Sequence, residues 1–530
     1  MMKKLVALLC AAVMVTSLVA CGAKEAAGEA PENAEVVEEA AEAEEKDPVT
    51  ITYWYNNQVG EQQYTQDVED KLNEILASTE GYEYITIDLV PCKDYATDIA
   101  LAQTSGAQLD ILSTASLTAV TEINNGSFMA LDDLIAANPE VTSDLPDWFI
   151  EYGKVNGSMY FIPNYQQCAN QFFWFTPTEF LNNSGYTYDE VQEILLSKDV
   201  DKLAEFYENY ITAIREYTGS ETVYLTSDKL SNIRYWEQPS NSITSVDWFG
   251  VFYWDEANEK INFTDLNENV QAGYVKNGEM YEKGILYKNA ETDTEFTSDA
   301  EMLSDQTYAF NFCQSFGTPE MVAESYSANL GFDVSVFEVH DYVFLSNSNA
   351  AGGVAVSATC EHPEEAAKVL ALLFNSKYEE FYNTLCWGLE GTHYEKNADG
   401  TIKTLEFDGS QGGAETTYCY HKWRGGNTFN AWLNQSMTAE QKDFIINEIN
   451  ESDETVVTPL MGFVLDTKPV SNELAQITTV VKEHQQALRA GLKGNDTESY
   501  LAEYLDKLET AGLSKVLDEF NAQADAYLGR

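Results

Sequence analysis

Hydrophobic and polar positions follow two periods in the first part of the chain. Residues 49–55 are rich in β-branched and aromatic side chains, which predicts a strand, and residues 61–77 place apolar side chains at helical spacing. The same patterns give a strand over 84–90, a helix over 94–103 and a short buried strand over 109–112. Strand, helix, strand, helix, strand indicates a parallel sheet with crossover helices. The sequence therefore predicts an α/β first lobe.

Helical periodicity returns further along the chain, at 188–216 and 266–283. Pro363 and the two glutamates after it predict a helix start, because proline lacks an amide that the first turn would leave unpaired and acids suit the helix dipole. Residues 397–400, Asn-Ala-Asp-Gly, predict a hairpin turn between extended runs. They lack the other oxygen ligands of a calcium loop, so no metal site is assigned there.

The C-terminal region reads as helical. Apolar positions at helical spacing between residues 474 and 488 predict one helix. A second helix is expected to start near Asp496 or Thr497 and to stop at Gly512, and a third to be capped by Ser514. This pattern fits helices packed on a domain.

The N-terminus predicts a secretory signal peptide over residues 1–20. Lys3 and Lys4 precede an apolar stretch that is shorter than the roughly 20 residues of a membrane span. The tetrapeptide LVAC, which ends at Cys21, looks like a bacterial lipobox. That likeness implies cleavage before Cys21 and a diacylglyceryl thioether on its sulfur, and two acyl chains anchor a protein stably. An ordinary secreted protein with a chance cysteine is the alternative.

Acidic residues dominate the charge of the chain. The chain has 30 basic and 87 acidic residues, which give a formal net charge of −57. Such a surface repels nucleic acid, so no nucleic-acid partner is expected. Residues 21–48, after the signal peptide, are rich in alanine and glutamate and contain no aromatic residue, which predicts a disordered tether. We expect the protein at the extracellular face of the cell membrane, held by its lipid.

Six cysteines remain once the signal peptide and Cys21 are set aside, and no two of them form a C-x-x-C pair. They are Cys92, Cys168, Cys313, Cys360, Cys386 and Cys419. An even number in an exported protein permits disulfides, and buried free thiols are the equal alternative. Their spacings assemble no zinc site, and neither a metal nor a cofactor is expected.

Five segments occur in an order that resembles one known family. They are the lipobox, VNGSMYFIPNYQQ (155–167), AAGGVAVSATCEHPEEAAKVLALLF (350–374), NTLCWGLEGTHYE (383–395) and the C-terminal stretch that begins MGFVLDTKPVSNELAQITTVV. Together they resemble family 1 extracellular solute-binding proteins, the carbohydrate-binding lipoproteins of ABC importers. The last two segments are similar to a large subgroup with an additional C-terminal domain.

The resemblance implies an α/β, two-lobed periplasmic-binding-protein-like (type II) fold with hinge strands and a helical C-terminal region. Lobe 1 is expected over 49–165 plus about 352–385, and lobe 2 over 166–351 plus about 386–530. An oligosaccharide would bind in the cleft between lobes that close by hinge motion. The implied partners are ABC permease subunits with a cytoplasmic ATPase.

Candidate ligand residues lie where strands end and where the chain crosses between lobes. Trp54, Tyr55 and Asn56 end the first strand, and open α/β sheets bind ligands at that edge. Asp110 lies in the predicted third strand, where a carboxylate accepts two hydroxyl hydrogen bonds, although a capping or buried structural role is the alternative. Further candidates at the crossing, with a hinge role as the alternative, are Asn164, Tyr165 and Gln166.

Aromatic platforms for sugar rings supply most of the other candidates, with core packing as the alternative. Those in elements that resemble the variable loops of the subgroup are Trp387, Glu390, Trp423, Arg424 and Asn427. Those expected in the second lobe are Trp174, Trp248 and Trp254.

Two other functions compete with transport. A membrane-anchored glycoside hydrolase would need two carboxylates about 5 to 10 Å apart, and chance pairs are inevitable among so many acids. The sequence has no G-x-S-x-G, H-E-x-x-H or G-x-x-x-x-G-K-[ST] motif. An extracellular sugar sensor that partners a receptor kinase would share the cleft. The sequence predicts a binding protein and not an enzyme.

Overall fold

The computed structural model describes most of the chain after residue 45. The residues described are 46–530 without 116, 118, 156, 171, 225–241, 246–250, 288–308, 316, 339–343, 346–351, 407–415, 435–436, 452–455, 458, 461–462 and 464. Residues 47–530 form one unit. The predicted signal peptide, the predicted lipidation site Cys21, most of the predicted tether and the candidate Trp248 lie outside the described residues.

A parallel three-stranded core begins this unit. Its strands are Val49–Asn56 (β1), Ile85–Cys92 (β2) and Ile111–Ser113 (β3), and its crossover helices are Thr65–Ser78 (α1) and Tyr95–Ser105 (α2). β1 pairs in parallel with β2 along its whole length and with β3 from Tyr53 onward. Alternate side chains of β1 are fully buried because α1 covers that face. The predicted α/β arrangement is confirmed.

Two later segments complete this sheet. Gly353–Val356 runs antiparallel beside β3, and Ile162–Pro163 pairs with it to close the order β2-β1-β3-353/356-162/163. A Cβ atom on Gly353 would collide with the backbone of Ile162, so glycine is required at this crossing. Pro363 then starts helix Pro363–Phe374, as predicted, and this helix is buried against the sheet.

Residues from 379–406 and 416–434 pack on the same core. Helix Glu379–Trp387 is followed by a hairpin of Tyr394–Lys396 and Ile402–Thr404, which confirms the turn predicted at 397–400. Aromatic side chains from this region, including Tyr420, share one hydrophobic cluster with β1. The expected boundary near residue 386 assigned them to lobe 2, whereas they belong to the hydrophobic cluster of the first core, with the members Trp387, Tyr394, Ile402, Tyr418, Tyr420 and Ala431. The full domain limits stay a prediction.

A second core is built on an antiparallel sheet. Its strands are Phe172–Pro177, Asn311–Gln314 and Val334–Glu338, and Phe172–Pro177, the first of them along the chain, lies at the centre. The helices beside it are Thr178–Asn183, Tyr188–Leu196, Val200–Thr218 and Pro319–Leu330. The predicted helical stretch at 188–216 is therefore two helices, because Asp199 caps the second one with its side chain.

The C-terminal helices form a third core with the middle of the chain. Ser471–Arg489, Thr497–Thr510 and Leu513–Leu528 pack on the hairpin of Val251–Asp255 and Lys260–Phe263 and on helix Glu268–Glu282. The expected cap at Ser514 is wrong. The third helix begins one residue earlier, after Gly512 in the left-handed region, and the Ser514 hydroxyl donates to Glu509 instead.

Shorter elements connect these cores. The helices are Ala119–Asn124, Asp132–Ala137, Asp147–Ile150 and Ala439–Phe444, and the strands are Lys154–Val155, Ser158–Met159, Ala169–Asn170, Ser242–Ser245, Phe344–Leu345 and Val456–Val457. Within the described part of the chain, no helix has both the length and the apolar character that crossing a bilayer requires. Cys92, Cys168, Cys360, Cys386 and Cys419 are buried free thiols.

Candidate functional site

The site is built at the carboxyl edge of β1 and β3. β1 ends at Asn56, whose side-chain oxygen accepts a hydrogen bond from the Gln58 amide at 3.0 Å. Asn57 then turns the chain, because its side-chain oxygen accepts from the Gly60 amide at 2.8 Å. Both asparagines are buried. This edge is where ligands bind in open α/β sheets.

Residues 421–427, His-Lys-Trp-Arg-Gly-Gly-Asn, lie across this edge and are called the Trp423 loop. His421 Nε2 lies 3.3 Å from the Asn57 carbonyl oxygen, and Arg424 Nη1 donates to the Asn56 carbonyl at 3.1 Å. Ser113, the last residue of β3, donates from its hydroxyl to the Arg424 carbonyl at 2.8 Å. The loop is therefore fastened to the ends of both strands.

The crossing segment, residues 164–166, holds the other side of the Trp423 loop. Asn164 Nδ2 and Gln166 Nε2 both donate to the Trp423 carbonyl, at 3.2 and 3.3 Å. The Asn164 side-chain oxygen accepts from the Gly426 amide at 3.0 Å, and Tyr165 forms a backbone bridge with Asn427. Side chains that are distant in sequence therefore meet around one short loop.

Two glycines let this loop approach the core. A Cβ atom on Gly425 would collide with the hydroxyls of Tyr53 and Tyr420. Gly426 has φ +106°, and a Cβ there would lie 2.6 Å from the Tyr382 ring. Only glycine fits such positions without strain. The two glycines bring the loop backbone against these tyrosines. Trp423 and Arg424, which directly precede the glycines, are positioned by this packing.

Trp423 is the exposed aromatic residue of this loop. Its side chain keeps 39% exposure in a protein that buries most of its large rings. The Arg424 guanidinium carbon lies 4.3 Å from the centre of the Trp423 ring. The centres of the His421 and Trp423 rings are 5.8 Å apart, and the two rings meet edge to face. A ring fixed in this way can stack on the apolar C–H face of a sugar.

Arg424 is a buried cation in this site. The residue is 5% exposed, and its Nε atom has no hydrogen-bond partner among the described residues. Burial lowers the pKa of Arg424 to about 10. The guanidinium therefore remains charged at neutral pH.

Asp110 does not lie at this edge. It precedes β3, at the end opposite Ser113, and is 1% exposed. Its Oδ2 accepts hydrogen bonds from the Thr52 amide at 2.9 Å, the Thr52 hydroxyl at 3.0 Å and Gln108 Nε2 at 2.7 Å. The buried structural role, the alternative weighed for this residue, accounts for these contacts. Asp110 joins the start of β3 to Thr52 of β1, and these contacts are structural.

Several candidate rings pack inside cores. Tyr55, Trp174 and Trp387 are at most 3% exposed, and each belongs to a hydrophobic cluster. Trp254 packs in the cluster of the C-terminal helices at 2% exposure. The indole of Trp54 is partly buried and donates to the Gln108 carbonyl at 3.1 Å, toward the Asp110 end of the sheet. Their positions favour packing.

Three other candidates make local contacts. The Tyr165 ring packs between Phe149 and Phe429. The Asn427 side chain accepts from the Phe429 amide at 3.1 Å and so caps the next turn. Glu390 is exposed and lies 3.9 Å from Lys396, on the hairpin.

The residues that position the Trp423 loop were not predicted from the sequence. Ser113, Asn57 and His421 carry no motif, because their roles depend on strand ends that meet only in the folded sheet. Gly425 and Gly426 had a usable signal, since adjacent glycines after Trp-Arg indicate a backbone that must pass close to other groups.

Known proteins resemble this chain along most of its length. Residues 459–529 match the family model DUF3502, described as a domain of unknown function. A carbohydrate ABC transporter substrate-binding protein of Streptococcus pneumoniae is 21% identical over 480 residues, which are 87% of this chain and 89% of the relative.

Solved structures share the fold. The N-glycan transport solute binding protein NgtS from Streptococcus pneumoniae aligns with a TM-score of 0.70 and 19% identity, over 91% of this chain and 100% of that one. An HMO-binding, ABC-transporter-associated solute binding protein from Bifidobacterium longum infantis aligns with a TM-score of 0.59 and 14% identity, over 91% and 99%.

These similarities establish the fold of the chain. The fold is the two-lobed α/β fold of solute-binding proteins, as the sequence predicted. The resemblance to family 1 extracellular solute-binding proteins, in the large subgroup with an additional C-terminal domain, is also confirmed.

Proposed function

We propose that this protein is the substrate-binding lipoprotein of an ABC importer and that it captures an oligosaccharide at the Trp423 loop. It delivers the sugar to permease subunits that work with a cytoplasmic ATPase, and Cys21 carries the lipid anchor. The observation that carries the proposal is the Trp423 loop itself, an exposed ring braced at the carboxyl edge of the sheet.

The relatives support the ligand class. The names of the similar proteins specify carbohydrate transport, N-glycan transport and HMO binding. One of the NgtS structures is a complex with Man1GlcNAc, and another is a complex with Man5GlcNAc. Rings and amides suit such ligands, because a sugar offers an apolar face and a surrounding set of hydroxyls.

The test is a binding titration that also looks for chemistry. Protein without residues 1–48 is titrated with a panel of oligosaccharides while tryptophan fluorescence is recorded, and each glycan is then analysed by mass spectrometry. We expect saturable binding and recovery of the glycan unchanged. Release of shorter sugars would support the anchored glycoside hydrolase instead.

The anchor needs its own experiment. Full-length protein in a bacterial host should acquire a labelled fatty acid, and Cys21→Ala should abolish the label. A Cys10→Ala variant is the matched control, because that cysteine lies within the predicted signal peptide. An unlabelled wild-type protein that is recovered from the medium would contradict the lipoprotein assignment.

A further inference from the structure

Arg424 is incompletely satisfied by the protein. A guanidinium has five N–H donors. In the described residues, Nη1 donates to one backbone carbonyl, that of Asn56, and Nε has no acceptor. The Trp423 ring covers the guanidinium at 4.3 Å. A cation that is 5% exposed with one neutral acceptor has lost water without regaining equivalent hydrogen bonds.

Arg530 and Arg215 have more polar partners than Arg424 among the described residues. Arg530 bonds to Asp525 and Glu259. Arg215 donates from Nε to the Val223 carbonyl and from Nη2 to the Gly284 carbonyl. Arg424 forms no ion pair with any aspartate or glutamate that the structure describes, although the sequence supplies 87 acidic residues. Within the described residues, no carboxylate neutralises the positive charge of this site.

A carboxylate would complete this guanidinium. Arginine and carboxylate match in geometry, because two parallel N–H groups meet two oxygens. Such a charge-assisted pair is stronger than the neutral hydrogen bonds that a sugar hydroxyl offers. Arg424 also lies beside Trp423, so one ligand could stack on the ring and place an acidic substituent at Arg424.

We propose that Arg424 makes the site selective for oligosaccharides that carry a carboxylate, which binds to the guanidinium. The inference rests on the proposed glycan-binding function and narrows its substrate class. The net charge of −57 opposes the approach of an acidic glycan, but salt screens exposed charges beyond about 10 Å at 0.1 M. The selectivity comes from the short-range pair.

The test uses pairs of glycans that differ in the carboxylate. An oligogalacturonide is compared with its methyl ester, and a sialylated N-glycan with its desialylated form, by calorimetry at 0.15 M salt. We expect the acidic member of at least one pair to bind about tenfold more tightly or better. Uronate and sialate, the two sources of a carboxylate, are distinguished by which pair shows the preference.

Arg424→Gln removes the charge and keeps hydrogen-bonding capacity. We expect it to abolish the preference, because the acidic member of the pair loses more affinity than the neutral member. Arg530→Gln is the matched control, because it removes a partly exposed arginine from the chain end, and it should leave the preference intact.

Three results would overturn the inference. One is equal binding of both members in both pairs, and another is a preference that survives Arg424→Gln. The third is a variant that melts several degrees lower and binds acidic and neutral glycans equally weakly, which would make Arg424 structural. Failure to bind any glycan, acidic or neutral, would overturn the proposed function as well.

Discussion

Arg424 and Asp265 are both buried charged residues, and their surroundings differ. Asp265 is fully buried between helix Glu268–Glu282 and the C-terminal helices. Its Oδ1 accepts from the Tyr274 hydroxyl at 2.6 Å, and its Oδ2 accepts from Gln485 Nε2 and the Tyr504 hydroxyl, both at 2.7 Å. Neutral donors satisfy this carboxylate from inside the protein.

The contrast separates two uses of a buried charge. Asp265 is satisfied by residues from distant parts of the sequence, so it fixes the C-terminal helices to the middle of the chain. Arg424 lies at the carboxyl edge of the sheet, and its Nε has no hydrogen-bond partner in the described structure, which is the basis for proposing that a ligand completes it. Asp265 and Arg424 are alike in burial and differ in how completely the described residues satisfy their hydrogen bonds.

The helices that match DUF3502 belong to this comparison. Besides the Asp265 contacts, Asn277 donates to the Arg489 carbonyl at 3.0 Å, and Asn521 exchanges hydrogen bonds with the backbone of Ile261. A Cβ on Gly278 would collide with Thr497. Contacts this close indicate that the C-terminal helices complete a core of the protein.

The largest expected effect is at Asp265. Asp265→Ala leaves two hydroxyls and an amide without their acceptor, and we expect a loss of about 4 kcal/mol in the free energy of unfolding. Denaturant unfolding measures it. Asp518→Ala, an exposed acid on the last helix, is the control and should change stability by less than about 0.5 kcal/mol. A loss below about 1 kcal/mol for Asp265→Ala would break the comparison.

Asp110 tests whether burial and satisfaction also mark a structural charge in the first core. Asp110→Ala removes the acceptor of the Thr52 amide and hydroxyl, and we expect about 2 kcal/mol of lost stability. Glycan affinity should stay within about twofold of wild type, because the carboxylate lies at the far end of the sheet. A stable variant with weakened binding would restore Asp110 as a ligand residue.

Trp423→Ala tests whether the exposed ring of the loop contributes to binding more than to stability. Trp423→Ala should weaken oligosaccharide binding at least about tenfold, since the stacking surface is lost, while stability falls by no more than about 1 kcal/mol. Trp387→Ala is the matched variant of a core ring, with an expected stability loss of about 3–5 kcal/mol. Equal effects of the two changes on stability and binding would contradict the assignment of Trp423.

The smallest effect is a pH dependence confined to the C-terminal contact. Burial, followed by the nearby Lys507, lowers the pKa of His484, whose Nε2 lies 3.0 Å from Lys507 Nζ. The unfolded chain therefore binds the proton more readily, and the contribution of neutral His484 to stability is full above pH of about 6.5 and declines as pH falls below it.

His484→Gln isolates this term. The difference in unfolding free energy between wild type and His484→Gln should shrink as pH falls from 8 to 5. Binding at Arg424 should not follow this profile, because its guanidinium stays charged throughout the range. A difference for His484→Gln that does not vary with pH would contradict the assignment.

Much of the fold could be predicted from local patterns. β1, α1, β2, α2 and β3 appear in order, because period-two and helical spacing of apolar residues are properties of neighbouring positions. The start of helix Pro363–Phe374 followed from proline chemistry. The candidate site was harder to predict from the sequence than the fold. Trp423, Arg424, Asn164 and Gln166 were candidates from separate segments, and only the structure shows that they meet around one loop. Asp110, expected in the third strand, precedes β3 at the opposite edge.

The amino-acid sequence by itself determined the order of elements, the α/β class and the five segments that carry the family resemblance, because each depends on residues close together in the chain. Only the tertiary structure decided which partners surround each buried charge. Folding brings each of these charges a partner that is distant in the chain. The partner lies more than 50 positions away for Asp110, more than 200 for Asp265 and more than 300 for Arg424. No local pattern encodes such a partner, because hydrogen bonds are satisfied in space and not along the sequence.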